Sequence, residues 1–136
     1  MNKILGKIVE ISSSENISLI AVDTGSRVLH SLVVETPETA KYLKIGEKIY
    51  LIIKETEVAL AREIQNCQTS FLNQINCIVE KIISGKVLSK IVLNCETCQL
   101  KAILPTEAIK QMKLKENENV VALIKANEIT IMEADG

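Results

Sequence analysis

The stretch LIIKETEVAL, residues 51–60, returns 71 residues further along the chain as ALIKANEITI, residues 122–131. Each copy consists of an apolar run, a lysine, a short polar segment and a second apolar run. The identical positions are Ile53, Lys54 and Glu57, which recur as Ile124, Lys125 and Glu128. Short apolar runs bounded by polar residues are typical of strands. The stretch therefore predicts two strands at about residues 47–53 and 57–61, with equivalents 71 residues later.

The same offset aligns almost the whole chain without a gap, so one unit is written twice. Matched positions include Asn2 with Asn73, Ser18 with Ser89, Leu43 with Leu114, and Glu47 with Glu118. Between the copies, the segment EIQNCQTSF is polar and has no periodicity, as expected of a linker. We predict a first domain at residues 1–63, a linker at 64–72 and a second domain at 73–136.

The pattern within each copy is that of short strands followed by one helix. Further strands are predicted at about residues 17–22 and 29–33, and at 87–93 and 100–104. Thr36, with Pro37 after it, predicts a helix of about two turns, and Thr106 predicts its equivalent. Five strands and one short helix per copy predict an all-β protein of two tandem OB-like Greek-key barrels. Barrels of this size are marginally stable alone, so we expect the copies to pack against each other.

Composition argues against several classes of partner. The net charge is −1 and aromatic residues make up 2%, which disfavours nucleic-acid binding by charge or by base stacking. No apolar span approaches the ~20 residues of a membrane helix, and charged residues interrupt the N-terminal segment where a signal peptide would lie. We therefore expect a cytoplasmic protein with no nucleic-acid or membrane partner, whose four cysteines are free thiols.

The frame of the second copy resembles the molbindin (Mop) family of molybdate and tungstate binders. The residues that carry the resemblance, besides the ALIKANEITI ending, are Asn73, Ile75, Cys77, Val79, Ile82, Gly85, Val87, Ser89, Ile91 and Leu93. The first copy has the same frame at Asn2, Ile4, Gly6, Ile8, Ile11, Ser18, Ile20 and Val22, before LIIKETEVAL. The resemblance covers almost the whole chain and is to the tandem, di-Mop arrangement.

The resemblance implies OB-like barrels that assemble as homo-oligomers, as trimers of two-domain chains. It implies cytoplasmic storage of molybdate or tungstate, the bound oxyanion, at inter-domain and inter-subunit interfaces. Backbone N–H groups, hydroxyls and a single cation suffice to hold such a dianion. The alternative is a regulatory or protein-interaction module whose anion sites have degenerated.

The family pattern also nominates oxyanion-binding residues. They are Lys54, Lys125, Thr56, Ala126 and Asn127 after the repeated strands, Ser70, Phe71 and Leu72 before the second copy, and His30, Ser31 and Lys101 on the third strands. Leu72 stands where the family has an arginine, so Lys101 is expected to replace the lost charge. A lysine after a strand also commonly protects a sheet edge, and His30 also fits an exposed strand residue.

The motif Cys95-x-x-Cys98 is the remaining candidate for chemistry. It aligns with Thr24 and Arg27, so the first copy builds the same turn without thiols. A zinc site needs two more ligands, and the spacing to Cys77 does not supply them. We therefore predict a turn without metal, and no motif of nucleophilic, zinc-dependent or phosphate-loop catalysis is present, so we predict a protein that is not an enzyme.

Overall fold

The computed structural model describes residues 1–96 and 98–134. Its strands are β1 (Asn2–Ser14), β2 (Ile17–Asp23), β3 (Val28–Val33), β4 (Lys48–Ile53), β5 (Ala59–Ala61), β6 (Asn73–Ile83), β7 (Leu88–Cys95), β8 (Cys98–Pro105), β9 (Asn119–Ile124) and β10 (Ile129–Glu133). The helix α1 spans Thr106–Met112, and 3₁₀ turns span Glu55–Glu57 and Ala126–Glu128. The predicted all-β class with two five-stranded, OB-like units is confirmed. The seven-residue α1 is too short to cross a membrane, and no other described helix is long and apolar enough.

Local features recur in the two copies, which we call repeat one (residues 1–63) and repeat two (residues 73–136). The long strands β1 and β6 each carry a bulge, between Ile8 and Glu10 and between Val79 and Lys81. A bulge bends a strand and increases its twist, which lets one long strand serve a curved sheet. Gly46 and its counterpart Asn117 both have positive φ, 93° and 71°. The repeated sequence therefore builds repeated backbone geometry.

The final strand of each repeat pairs in the sheet of the other repeat. The first sheet has the order β10-β4-β1-β2-β3, and the second has the order β5-β9-β6-β7-β8. Thus β10 pairs antiparallel with β4, and β5 pairs antiparallel with β9. Buried apolar residues of both repeats form one core cluster, in which Ile129 of β10 is 1% exposed. The expectation that the copies pack against each other is confirmed, through an exchange of strands.

Two buried asparagines fasten the repeats to each other. Asn73, at the start of β6, donates to the His30 carbonyl (2.9 Å) and accepts from the His30 N–H (2.7 Å). Asn2, at the start of β1, makes the same two bonds with the backbone of Lys101, at 2.9 and 2.8 Å. Each amide thus satisfies one donor and one acceptor of the other repeat, which buried backbone groups require.

The predicted helix of repeat one is wrong, because residues 36–43 form turns. The Thr36 carbonyl accepts from the N–H groups of Thr39 (3.0 Å) and Ala40 (2.9 Å), and the Thr39 hydroxyl accepts from the Thr36 N–H (2.9 Å). Threonine side chains that bond to nearby backbone compete with helix formation. The buried Thr36 and Leu43 are also seven positions apart, against eight for Thr106 and Leu114, so less chain is available for a helical turn. The helix predicted from Thr106 is confirmed as α1.

Replacing Asn73 tests the fastening of the repeats. The Asn73→Ala variant loses two hydrogen bonds and leaves the His30 backbone groups unpaired in a buried setting, so its free energy of unfolding should fall by about 2–3 kcal/mol. Urea denaturation measures this value. The matched control is Asn76→Ala, on the exposed face of the same strand, which should change it by less than ~0.5 kcal/mol. Equal losses in the two variants would contradict the role assigned to Asn73.

Candidate functional site

The two 3₁₀ turns present their lysines in the same backbone geometry. Lys54 precedes the first turn with φ −67° and ψ 139°, and Lys125 precedes the second with φ −69° and ψ 140°. In each turn the N–H of the third residue donates to the lysine carbonyl at 3.0 Å. The lysine ends its strand in extended conformation, and the chain then turns at once. Both lysines have exposed side chains, as their sequence positions predicted.

Strand exchange brings each turn onto the other repeat. The first turn packs against β8, and the second packs against β3. A cavity of about 260 Å³ lies at this junction, and we call it the junction cavity. Its lining residues are Thr56, Glu57, Val58, Ala59, Phe71, Leu104, Lys125 and Glu128. The cavity is therefore built from repeat one, the linker and repeat two together.

The junction cavity collects three of the eleven residues predicted to bind an oxyanion: Thr56, Phe71 and Lys125. Thr56 offers a hydroxyl, and Lys125 offers an ammonium. The Phe71 N–H donates to the Thr69 hydroxyl at 3.2 Å, so Phe71 contributes its ring and its remaining backbone to the lining. The arrangement provides one cation and one hydroxyl beside apolar walls.

Two carboxylates also line the junction cavity, and sequence reasoning missed both. Glu57 and Glu128 are half-buried and occupy equivalent positions of the two turns. The repeat alignment contained the signal, because these residues are identical in the two copies. With Lys125, the lining has a formal charge of −1 when both carboxylates are ionised.

Glu55, between Lys54 and Thr56, faces away from this lining and is paired elsewhere. Its carboxylate accepts from the N-terminal amine of Met1 at 2.9 Å and lies 3.6 Å from the Lys90 ammonium. The hydrogen bond from the N-terminal amine is the largest cause that lowers the pKa of Glu55, and the charge of Lys90 adds to it. The negative charge of Glu55 is thus offset within the chain.

The third-strand candidates lie where the asparagines fasten the repeats. His30 and Lys101 are half-buried, and their backbone groups are those bound by Asn73 and Asn2. Nδ1 of His30 is buried and has no hydrogen-bond partner among the described residues. Ser31 is fully buried and donates its hydroxyl to the Ile129 carbonyl at 2.6 Å, which ties β3 to β10. The Ser31 hydroxyl therefore joins β3 and β10, the two edge strands of the first sheet.

The remaining candidates do not line the junction cavity. Ser70, Leu72, Lys54 and Asn127 are exposed and Ala126 is half-buried, all at the two turns or in the linker. Together with His30, Ser31 and Lys101 they stay predicted contacts. Within residues 1–96 and 98–134, no group of three or more His, Cys, Asp or Glu side chains could hold a metal ion.

The cysteines are arranged differently from the sequence prediction. Cys95 and Cys98 form the last cross-strand pair of the β7–β8 hairpin, and Thr97 between them lies outside the described residues. The Cys77 sulfur lies 2.6 Å from the Cys95 sulfur. The spacing along the sequence had not indicated that Cys77 lies near the other two cysteines. Cys77 and Cys95 are 3% and 1% exposed, so both belong to the core. The Cys95-x-x-Cys98 motif therefore contains a core residue, Cys95, as well as the turn.

Comparisons with known proteins agree with this architecture. Residues 69–131 match the family model described as the TOBE domain. The structure is similar to that of the cytoplasmic molybdate-binding protein ModG, crystallised with molybdate bound, at 19% identity and a TM-score of 0.91, over 98% of this chain and 96% of that chain. A molybdate-binding protein from Sporomusa ovata is 27% identical over 48% of this chain and 98% of that chain, with a TM-score of 0.47. No curated protein sequence matches the chain.

The family match spans the second repeat, and the structural likeness spans both repeats with their exchanged strands. The resemblance to the molbindin family that the sequence predicted is confirmed. Residues 69–131, mainly the second repeat, match the TOBE domain model, and the chain as a whole has the fold of ModG.

Proposed function

We propose that this protein binds molybdate or tungstate and stores the oxyanion in the cytoplasm. The observation that carries the proposal is the junction cavity, which joins Lys125, Thr56 and the linker residue Phe71 between the two repeats. The likeness to ModG, a protein described as binding molybdate, supports the choice of ligand. A binding role without catalysis fits the side chains that line the cavity.

The chemistry of the cavity suits a tetrahedral dianion of five heavy atoms. Its volume is about 260 Å³, whereas one water occupies ~30 Å³ in the liquid, so the cavity has room for five heavy atoms. The Lys125 ammonium supplies charge, and the Thr56 hydroxyl supplies an oriented donor. Leu104, Val58 and Phe71 supply apolar walls beside these two groups.

Glu57 and Glu128 oppose anion binding, because like charges repel in a partly buried site. They favour the second candidate function, a regulatory or protein-interaction module whose anion sites have degenerated. The two functions differ in a measurable way. A storage protein retains the anion in the absence of other proteins, whereas an interaction module retains a protein partner whether or not the anion is present.

We also propose that the chain forms a homo-oligomer, as a trimer of two-domain chains. Large apolar side chains are exposed on β1, on β2 and on and beside β3, namely Leu5, Val9, Ile17, Val28, Leu32 and Val34. Exposed apolar groups of this kind commonly mark contacts between proteins. Predicted contacts outside the junction cavity, such as Lys54 and Ser70, then belong to sites that a neighbouring copy completes. Binding at such sites stabilises the assembly, since only the assembly offers every donor.

Equilibrium dialysis of the full chain against molybdate, followed by metal analysis, tests the proposed function. We expect retention at micromolar anion, and the Lys125→Met variant should bind about tenfold more weakly because it removes the cation of the junction cavity. Lys86→Met, which removes an exposed lysine that does not line the cavity, is the matched control and should bind as the unmodified chain does. Retention of neither molybdate nor tungstate by the unmodified chain would reject the function.

Neutralising one carboxylate of the junction cavity should act in the opposite direction. The Glu128→Gln variant keeps the shape of the side chain and removes a like charge, so its affinity for molybdate should rise about 3–10-fold. Isothermal titration calorimetry measures the change. Glu38→Gln, an exposed carboxylate in the turns of residues 36–43, is the control and should leave the affinity unchanged. An unchanged affinity in Glu128→Gln would show that the anion binds elsewhere, and a lower affinity would contradict the repulsion assigned to this carboxylate.

A further inference from the structure

Three cysteines of repeat two meet at one end of the second sheet, away from the junction cavity. The register between β6 and β7 pairs Ile78 with Asn94 and Val79 with Leu93, and its continuation places Cys77 opposite Cys95. The next pair along the sheet is Cys95 with Cys98, across β7 and β8. Cys95 therefore has a cysteine on each of its two neighbouring strands.

The sulfur atoms of Cys77 and Cys95 are 2.6 Å apart, about half an ångström more than the ~2.05 Å of an S–S bond. Directly opposed residues on antiparallel strands place their Cβ atoms near the separation that a disulfide spans. The Cys77 and Cys95 sulfurs are too close together to bind one metal ion side by side, and the described residues contain no group that could hold a metal. The arrangement suits bond formation between sulfurs.

The cysteine cluster borders an open cleft on one side. A cleft of about 1290 Å³ lies beside the linker, which we call the linker cleft. It is lined by Cys77 and by polar residues that include Asn76 and Asn94, as well as by Cys67 of the linker. Cys98 is half-buried, whereas Cys77 and Cys95 are almost completely buried. The linker cleft therefore lies beside Cys77, and Cys98 is the most exposed cysteine of the three.

We propose that Cys77, Cys95 and Cys98 form a redox modification site, in which a disulfide between Cys77 and Cys95 is opened by exchange with Cys98. In the oxidation, the two thiols lose two protons and two electrons to a peroxide, which leaves as two water molecules, and one S–S bond forms. In the exchange, the Cys98 thiolate attacks the Cys95 sulfur after giving its proton to solvent. The bond between Cys95 and Cys98 forms as that between Cys95 and Cys77 breaks, and Cys77 leaves as a thiolate that takes up a proton.

The electrostatics favour Cys77 as the leaving group and disfavour the Cys98 thiolate. The hydrogen bond with Cys95 lowers the pKa of Cys77, whereas it raises the pKa of Cys95 to about 12. Interaction with Cys95 and burial raise the pKa of Cys98, so its thiol is mostly protonated and the exchange is slow. The Cys77–Cys95 bond is therefore the main product of oxidation, and the Cys95–Cys98 bond is a minor one. The sulfur with the lowest pKa is the best leaving group, so Cys77 departs when Cys95 is attacked. The charge of the Arg27 guanidinium in repeat one favours the thiolate of all three cysteines. For Cys95 and Cys98 it only partly offsets the causes that raise the pKa.

The other repeat indicates that the fold does not require these thiols. Repeat one has Gly6, Thr24 and Arg27 at the positions of Cys77, Cys95 and Cys98. It builds the same bulged strand and the same hairpin without sulfur. Buried cysteines also serve as small apolar side chains, and the experiment separates that role from redox chemistry.

The test is to treat the reduced full chain with hydrogen peroxide, block the remaining thiols with N-ethylmaleimide, and map the linkage by mass spectrometry without reduction. We expect the loss of two hydrogens and one cross-linked peptide pair that joins Cys77 to Cys95, with Cys67 and Cys98 alkylated. The oxidised protein should unfold about 5–10 °C higher, because the bond closes a loop between neighbouring strands. A chain with no cross-link, or one whose main cross-link joins Cys95 to Cys98 or involves Cys67, overturns the proposal.

Single variants test the roles of the individual cysteines. Cys67→Ser is the matched control, because Cys67 is exposed on the linker, and it should oxidise as the unmodified chain does. Cys98→Ser should still form the cross-link, but dithiothreitol should reduce it at least threefold more slowly, since only buried sulfurs remain. Reduction of the Cys98→Ser variant at an unchanged rate overturns the exchange role of Cys98.

Discussion

The backbone hydrogen bonds between strands of different repeats determine this structure. Strand β10 of repeat two pairs with β4 in the first sheet, and β5 of repeat one pairs with β9 in the second sheet. Each repeat thus supplies an edge strand to the sheet of the other. An OB-like barrel of some 60 residues buries too little apolar surface to be stable by a wide margin. The exchange joins two such units into a single core, in which Ile53 and Ile129 of different repeats pair across the first sheet. Asn2, Asn73 and the junction cavity all lie at the interface between the two repeats.

The two repeats differ in the polar side chains at the interface between them. Ser31 ties β3 to β10, and its counterpart Ala102 has no hydroxyl with which to do the same. Glu55 is held by the N-terminal amine and Lys90, while its counterpart Ala126 carries no charge. The junction cavity contains Lys125 but not Lys54. A duplicated unit has therefore kept its backbone and its core, and has changed the polar side chains around the turns.

Much of the fold was predictable from sequence, because apolar alternation and a constant offset of 71 residues describe local structure and its repetition. The exchange of β5 and β10 was not, since a strand has the same apolar pattern whichever sheet it joins. The helix predicted in repeat one does not form for a local reason. One residue fewer separates the buried Thr36 and Leu43 than separates Thr106 and Leu114 in repeat two. Of the predicted site residues, Lys125, Thr56 and Phe71 line the same cavity, and their contact with an anion stays a prediction. The approach of Cys77 to Cys95 depends on cross-strand register, which a single sequence does not give. Glu57 and Glu128 are identical in the two copies, but their position in the junction cavity follows from the exchange of strands.

Native-state hydrogen exchange of the full chain tests most directly whether the exchanged strands make the two repeats one cooperative unit. The amides of β4 in repeat one and of β9 in repeat two are the best probes, because each strand pairs with a strand of the other repeat. The account predicts that both sets exchange through one global opening, with the same free energy and the same dependence on denaturant. Opening of β9 at a clearly lower free energy than β4, or the reverse, would show that the repeats unfold independently and would contradict it.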